Sequence, residues 1–198
     1  IVNPTLQTDT ISEYSSGAGV TIDGVLLKDS KMNGSYLTDS TVGNAAAILG
    51  MPVQEVSTVT SALATGTTTI PLDDTIPQNT EGTEFMTLAI TPKSTTNKLV
   101  ISVVMVGSVN ATTNLIGAIF QDNTANALAA ATVVSLNTGN SIMLTVRHSM
   151  TAGTTSATTF KFRAGGSGAS TVTFNGRDGG RLFGTITKSS MVITEYKA

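Results

Sequence analysis

The 198-residue sequence predicts an all-β chain: an N-terminal stem of short strands over residues 1–50, followed by a jelly-roll β-sandwich over 51–198. Three observations point there. Strand and turn formers, with Thr the commonest residue, greatly outnumber Glu, Lys, Arg and Gln, which good helices need. From about Val53 onward, short apolar or alternating runs are separated by Gly, Thr and Asn clusters. The first fifty residues carry a ten-residue repeat instead.

In the repeat, Ile22-Asp23-Gly24-Val25-Leu26-Leu27-Lys28-Asp29-Ser30 aligns on Met32-Asn33-Gly34-Ser35-Tyr36-Leu37-Thr38-Asp39-Ser40, and Val42 begins a third copy. Asp-Gly and Asn-Gly favour positive φ and so a tight turn, and Asp-Ser marks a second corner. Each copy is a short strand between two bends, too short to bury its own apolar side chains. Two copies do not make a single-chain solenoid, whereas three chains wound about one axis would supply the missing neighbours. Ile22, Leu27, Met32, Leu37 and Val42 are then the inward-pointing core of a homotrimeric stem; the alternative is a two-hairpin appendage packed on the following domain. Asn44 to Gly50 reads as one or two helical turns, capped by Asn44 and stopped by a left-handed Gly50, with Pro52 just beyond.

The apolar, β-branched run 99–106 predicts a central strand. Further strands are expected over 84–90, 115–121, 141–149, 158–163, 171–174, 181–187 and 191–196, with weaker patterns over 56–63 and 67–72. Alternation in 158–163 and 171–174 implies one wet face. The stretch 125–131 suits a helix or a small-residue strand equally. Eight to ten strands of this kind make a two-sheet sandwich, and without βαβ alternation a parallel sheet is excluded.

Charged residues are 12% of the chain and the net charge is -2, with eleven basic residues scattered among thirteen acidic ones. No basic stripe exists to neutralise phosphates, so nucleic acid is not an expected partner. No run approaches the ~18 apolar residues of a membrane span. The absence of cysteine removes disulfides, thiolate zinc sites and Cys nucleophiles. The chain opens at Ile1, without an initiator Met or a signal-like segment, so a processed or truncated N-terminus is expected.

Catalytic constellations are scarce, and neither an enzyme nor a cofactor is expected. His148 is the only histidine, which rules out a His pair within one chain; three copies could meet on an axis, but a strand-edge histidine beside Arg147 is the simpler reading. Asp73-Asp74 with Glu81 and Glu84 could serve glycoside hydrolysis or calcium, yet the spacing lacks the alternating oxygens and Gly turn of a calcium loop, which favours a solvated loop. Asn175-Gly-Arg-Asp-Gly-Gly-Arg181 could cradle an anion, but no helix follows, and a Gly-rich hairpin with two solvated arginines is expected. Gly165-Gly-Ser-Gly168 reads as a flexible loop tip. Tyr14, Tyr36 and Tyr196 are the only tyrosines and Trp is absent, so no strong glycan-stacking site is visible.

The stretch Gly17-Ala-Gly-Val-Thr-Ile-Asp-Gly-Val-Leu-Leu-Lys-Asp29 resembles a stem segment of tailed-phage virion fibres. The second region is similar to the knob that follows such stems, through residues 69–85, Ile90-Thr-Pro92, 153–163, Val172-Thr-Phe-Asn-Gly176 and 189–195. The resemblance implies a trimeric knob of jelly-roll, tumour-necrosis-factor-like topology on a virion surface, touching capsid or tail proteins, as a surface fibre, head fibre or capsid decoration. A receptor-binding tail-fibre tip, with a host-surface glycan as partner, is the alternative; a bacterial adhesin or filament subunit and a glycan depolymerase follow behind.

Overall fold

A computed structural model of the chain describes residues 20–22, 25–27 and 49–198. The chain divides into two compact units, Ile1–Leu49 and Gly50–Ala198. In the first, β1 (Val20–Ile22) and β2 (Val25–Leu27) pair antiparallel, with Ile22 opposite Val25 and only Asp23 and Gly24 between them in sequence. The helical joint expected over 44–50 lies outside the described residues except at its end, where Gly50 has a φ of 81°.

The second unit is a β-sandwich, and its described residues contain no helix. One sheet runs β5 (Thr83–Ile90), β10 (Thr158–Gly166), β7 (Thr113–Gln121), β8 (Ala129–Ser135). The other contains β3 (Pro52–Thr60), β14 (Ser189–Tyr196), β6 (Lys98–Val109), β11 (Val172–Phe174) and β4 (Ala64–Gly66), with β9 (Ile142–Thr151) on β6. Gly107 of β6 faces Ile142 across one edge and Phe174 across the other, so β11 continues the line of β14, as β4 continues β3. This sheet therefore has four strand positions: β3/β4, β14/β11, β6 and β9. The pairing is nested: β7 with β8, β6 with β9, β5 with β10, and β3/β4 with β14/β11, all antiparallel.

Period-two patterning explains the core. Leu99, Ile101, Val103 and Met105 of β6, Ile142, Leu144 and Val146 of β9, and Met191 and Ile193 of β14 meet Leu115, Ile119, Phe160 and Phe162 of the facing sheet. Truncating Phe162, which is wholly buried, to Ala would cost about 3–5 kcal/mol. Gly117 occupies an inward position of β7 where a Cβ would lie 2.7 Å from both Leu144 Cδ2 and the Phe162 ring, so no larger residue fits. A bulge leaves Phe85 without a partner on β10, and its ring stacks on Phe174 of the other sheet with centroids 5.0 Å apart.

Four sequence expectations are corrected. Residues 67–72 form no strand: Pro71 and Pro77 remove ladder donors, and the segment crosses the outer face of the β5–β10–β7–β8 sheet, seating Ile70 with Ile116, Ala118 and Phe120. Residues 181–187 break after Arg181, because Phe183 (φ 51°) and Gly184 (φ 65°) are both left-handed. Gly165 and Gly166 are buried within β10 rather than at a loop tip; a Cβ on Gly165 would lie 2.9 Å from the Ile70 amide nitrogen. Thr173 does not lie on a wet face: it is 1% exposed, under the hairpin of β12 (Gly176–Arg177) and β13 (Gly180–Arg181). Of the stretch 125–131, only residues from Ala129 onward are strand.

Candidate interaction surface

The residues singled out for chemistry fall in separate places. Of the stem positions, Ile22 and Leu27 lie on β1 and β2, and Met32, Leu37 and Val42 lie outside the described residues. His148 sits opposite Ile101 on β9, in the same alternation as buried Leu144 and Val146, so it points to the sandwich side of an edge strand. Burial holds its pKa below the usual imidazole value. The acidic cluster is divided among local tasks. Asp73 accepts from the Thr75 hydroxyl and amide, which hold its pKa below the ordinary carboxylate value. Glu81 accepts from the Gln78 amide at 2.9 Å, and Glu84 pairs with Arg163 at 3.4 Å. Among the described residues, no three of His, Asp and Glu converge on a common point.

The 175–181 segment is a two-residue hairpin with Asp178 (φ 48°) and Gly179 (φ 78°) at its tip. Arg177 pairs with Asp178 at 3.4 Å, and Arg181 donates to the Ser61 carbonyl at 2.8 Å. The tip folds back on the β3–β14–β6–β9 sheet, where Asp178 N donates to Ser108 Oγ and Gly179 N to Thr173 Oγ1. Asn110, Thr171, Thr173, Asp178 and Gly179 line an open cleft of about 350 Å³.

Sequence reasoning missed two buried polar devices. Glu195 is wholly buried and accepts from Asn97 Nδ2 and Gln54 Nε2 at 2.6 Å, from Lys93 N at 2.8 Å and from Ser94 N at 3.3 Å. Burial pushes its pKa up, but these bonds outweigh burial, and the net pKa lies below the ordinary glutamate value. The signal was present: Glu195 continues the inward series Met191, Ile193. At the opposite end of β14, Asn175 (φ 56°) donates to the Thr60 and Ala62 carbonyls and accepts from Ser189 Oγ, which itself accepts from Val106 N. This knot closes the 175–188 excursion between β11 and β14.

The surface that stands out is the outer face of the β3–β14–β6–β9 sheet. Register places its residues in rows: Val59, Ser190, Val104, Thr145; then Ser57, Val192, Ser102, Arg147; then Glu55, Thr194, Val100, Ser149. Below them lie Tyr196, Lys98 and Thr151; above, Val106 and Met143. A solvated antiparallel face ordinarily presents polar residues outward. Above the Tyr196–Lys98 row the two central strands present Val, Ser and Thr, and the charges there sit on the edge strands: Glu55 on β3 and Arg147 on β9. The excursion beside this face exposes Phe183 and Ile186, each 78% accessible, and the face itself exposes Val59 and Met143.

No family model matches the chain, and no curated protein does. Among solved structures it is similar to the infectious bursal disease virus VP2 subviral particle, at 12% identity and a TM-score of 0.31 over 74% of this chain. The match spans 39% of that structure's chain.

Proposed function

We propose that this chain is a virion structural protein: a homotrimeric surface fibre or capsid-decoration protein of tailed-phage type, with a repeat stem over 1–50 and a knob over 51–198. The nested pairing of the sandwich is that of a rolled-up hairpin, the jelly roll that viral surface modules favour. The observation that carries the reading is the uncharged Val, Ser and Thr centre of the β3–β14–β6–β9 face, on strands β14 and β6, a surface suited to packing rather than to chemistry. It accords with the ten-residue repeat, whose strands need cover from sister chains. The partners are then two further copies and an anchoring capsid or tail protein, and the location is the particle surface. The experiment is immunogold electron microscopy of native particles: label on heads or tails supports the reading, and label confined to cell filaments overturns it.

A recognition tip on the same architecture is the second reading. It is favoured by the exposed Phe183, Ile186 and Leu136, and the small cleft, gathered at the end of the sandwich opposite Gly50, where the chain enters. Unchanged adsorption to host cells by particles lacking the protein would remove it.

A further inference from the structure

We infer that copies of this chain meet through the outer face of the β3–β14–β6–β9 sheet, in a closed ring in which Glu55 of one copy pairs with Arg147 of the next. The inference rests on the homotrimer proposed above and specifies the surface that would form it. Glu55 and Arg147 occupy the two edge strands of one face, one row apart along the strand direction. Three strand spacings separate those edges, about 14 Å at ~4.8 Å each, so the two charges cannot pair within a chain. Among the described residues Arg147 has no ion pair, and Glu55 accepts only from Thr194 Oγ1, at 3.0 Å. A face with one carboxylate on one edge strand and one guanidinium on the other is complementary to itself in a head-to-tail arrangement. Head-to-tail contacts close into rings when the rotation permits. Three such faces turned towards a common axis bring each β3 edge beside a neighbouring β9 edge, and direct the uncharged rows Val59–Ser190–Val104 and Val192–Ser102 inward. The outer face of the other sheet offers no comparable surface, because residues 67–82 cross it and Lys161 and Arg163 lie on it.

The chain contains no cysteine, so a disulfide probe has no background. Full-length protein carrying Glu55→Cys and Arg147→Cys is oxidised and run without reductant, beside a control with Thr87→Cys and Thr132→Cys on the edge strands of the other sheet. Within one chain either pair is too far apart to bridge, since a disulfide needs Cα atoms within about 7 Å. A covalent trimer from the first pair and none from the control supports the ring. If light scattering shows a trimer but the first pair stays unlinked, this face is wrong while the homotrimer survives. A monomer by light scattering overturns both, and a covalent dimer overturns the ring of three. As a second readout, Arg147→Glu should raise the concentration of half-dissociation about tenfold or more, and adding Glu55→Arg should restore it. No rescue by the double variant counts against the pairing.

Discussion

Glu195→Ala tests the most heavily bonded side chain of the sandwich. The carboxylate is buried against β6 and gathers donors from the 91–97 loop and from Gln54 on β3, so it ties the β5–β6 connection to the last strand. Removing it takes the acceptor from four donors; Gln54 keeps the Thr91 carbonyl at 2.8 Å, and the other three cannot all re-pair. The Lys93 and Ser94 amides lie where water can reach them and should cost about 1 kcal/mol each, while the buried Asn97 amide should cost about 2. The expected loss is roughly 4 kcal/mol, or a Tm lowered by about 10 °C for a domain of this size. Glu195→Gln keeps one acceptor oxygen and should lose about half as much. The folded pKa is depressed, so the stabilisation is complete above the unfolded value of about 4.3 and is lost as pH falls through the folded value. Urea titrations of wild type and Glu195→Gln between pH 7 and pH 2.5 should therefore converge at the acid end. A constant difference across that range, or an Ala variant within 1 kcal/mol of wild type, would refute the reasoning.

Gly117→Ala should destabilise by about 1–3 kcal/mol, because its Cβ would press on Leu144 and Phe162; chemical denaturation measures it. Asn175→Ala removes the donor to the Thr60 and Ala62 carbonyls and the acceptor for Ser189, and should cost about 2–3 kcal/mol, with faster amide exchange across the 176–188 excursion. Phe183→Asn places a residue tolerant of positive φ at an exposed site, and should raise monomer stability by about 0.5–1 kcal/mol. His148 is held neutral in the fold, so the unfolded chain takes up its proton first; that contribution to stability is lost as pH falls from about 6.5 through the folded pKa. His148→Gln should flatten the Tm profile between pH 7 and pH 5.

Most strands were legible because their residues obey the two-residue period of a half-buried sheet: Lys98–Val109 and Ser189–Tyr196 read almost directly from their apolar positions. The failures have local causes. At 181–187 the run of Leu182, Phe183, Thr185, Ile186 and Thr187 imitates a strand in composition, but Phe183 and Ile186 are exposed, and Phe183 and Gly184 both take positive φ. At 67–72 the Thr and Ile content suggested pairing, while Ile70 instead caps a second small core across the sheet. The glycines at 165 and 166 resemble loop residues in sequence, but the Thr68–Ile70 backbone lies directly over Gly165, and a Cβ on Gly166 would run into the Ser170 side chain. The uncharged centre of this face could not be seen in any one strand. It emerges only when register sets Ser190 beside Val104, Val192 beside Ser102 and Thr194 beside Val100, with Glu55 and Arg147 out on the edge strands, which is a property of the sheet.

Covering the Val, Ser and Thr centre of the β3–β14–β6–β9 face takes sister chains. Native mass spectrometry of the full chain at micromolar concentration reads this directly. A homotrimer gives a dominant species at three times the 20.3 kDa chain mass. A population that remains at the mass of one chain across that range would contradict it.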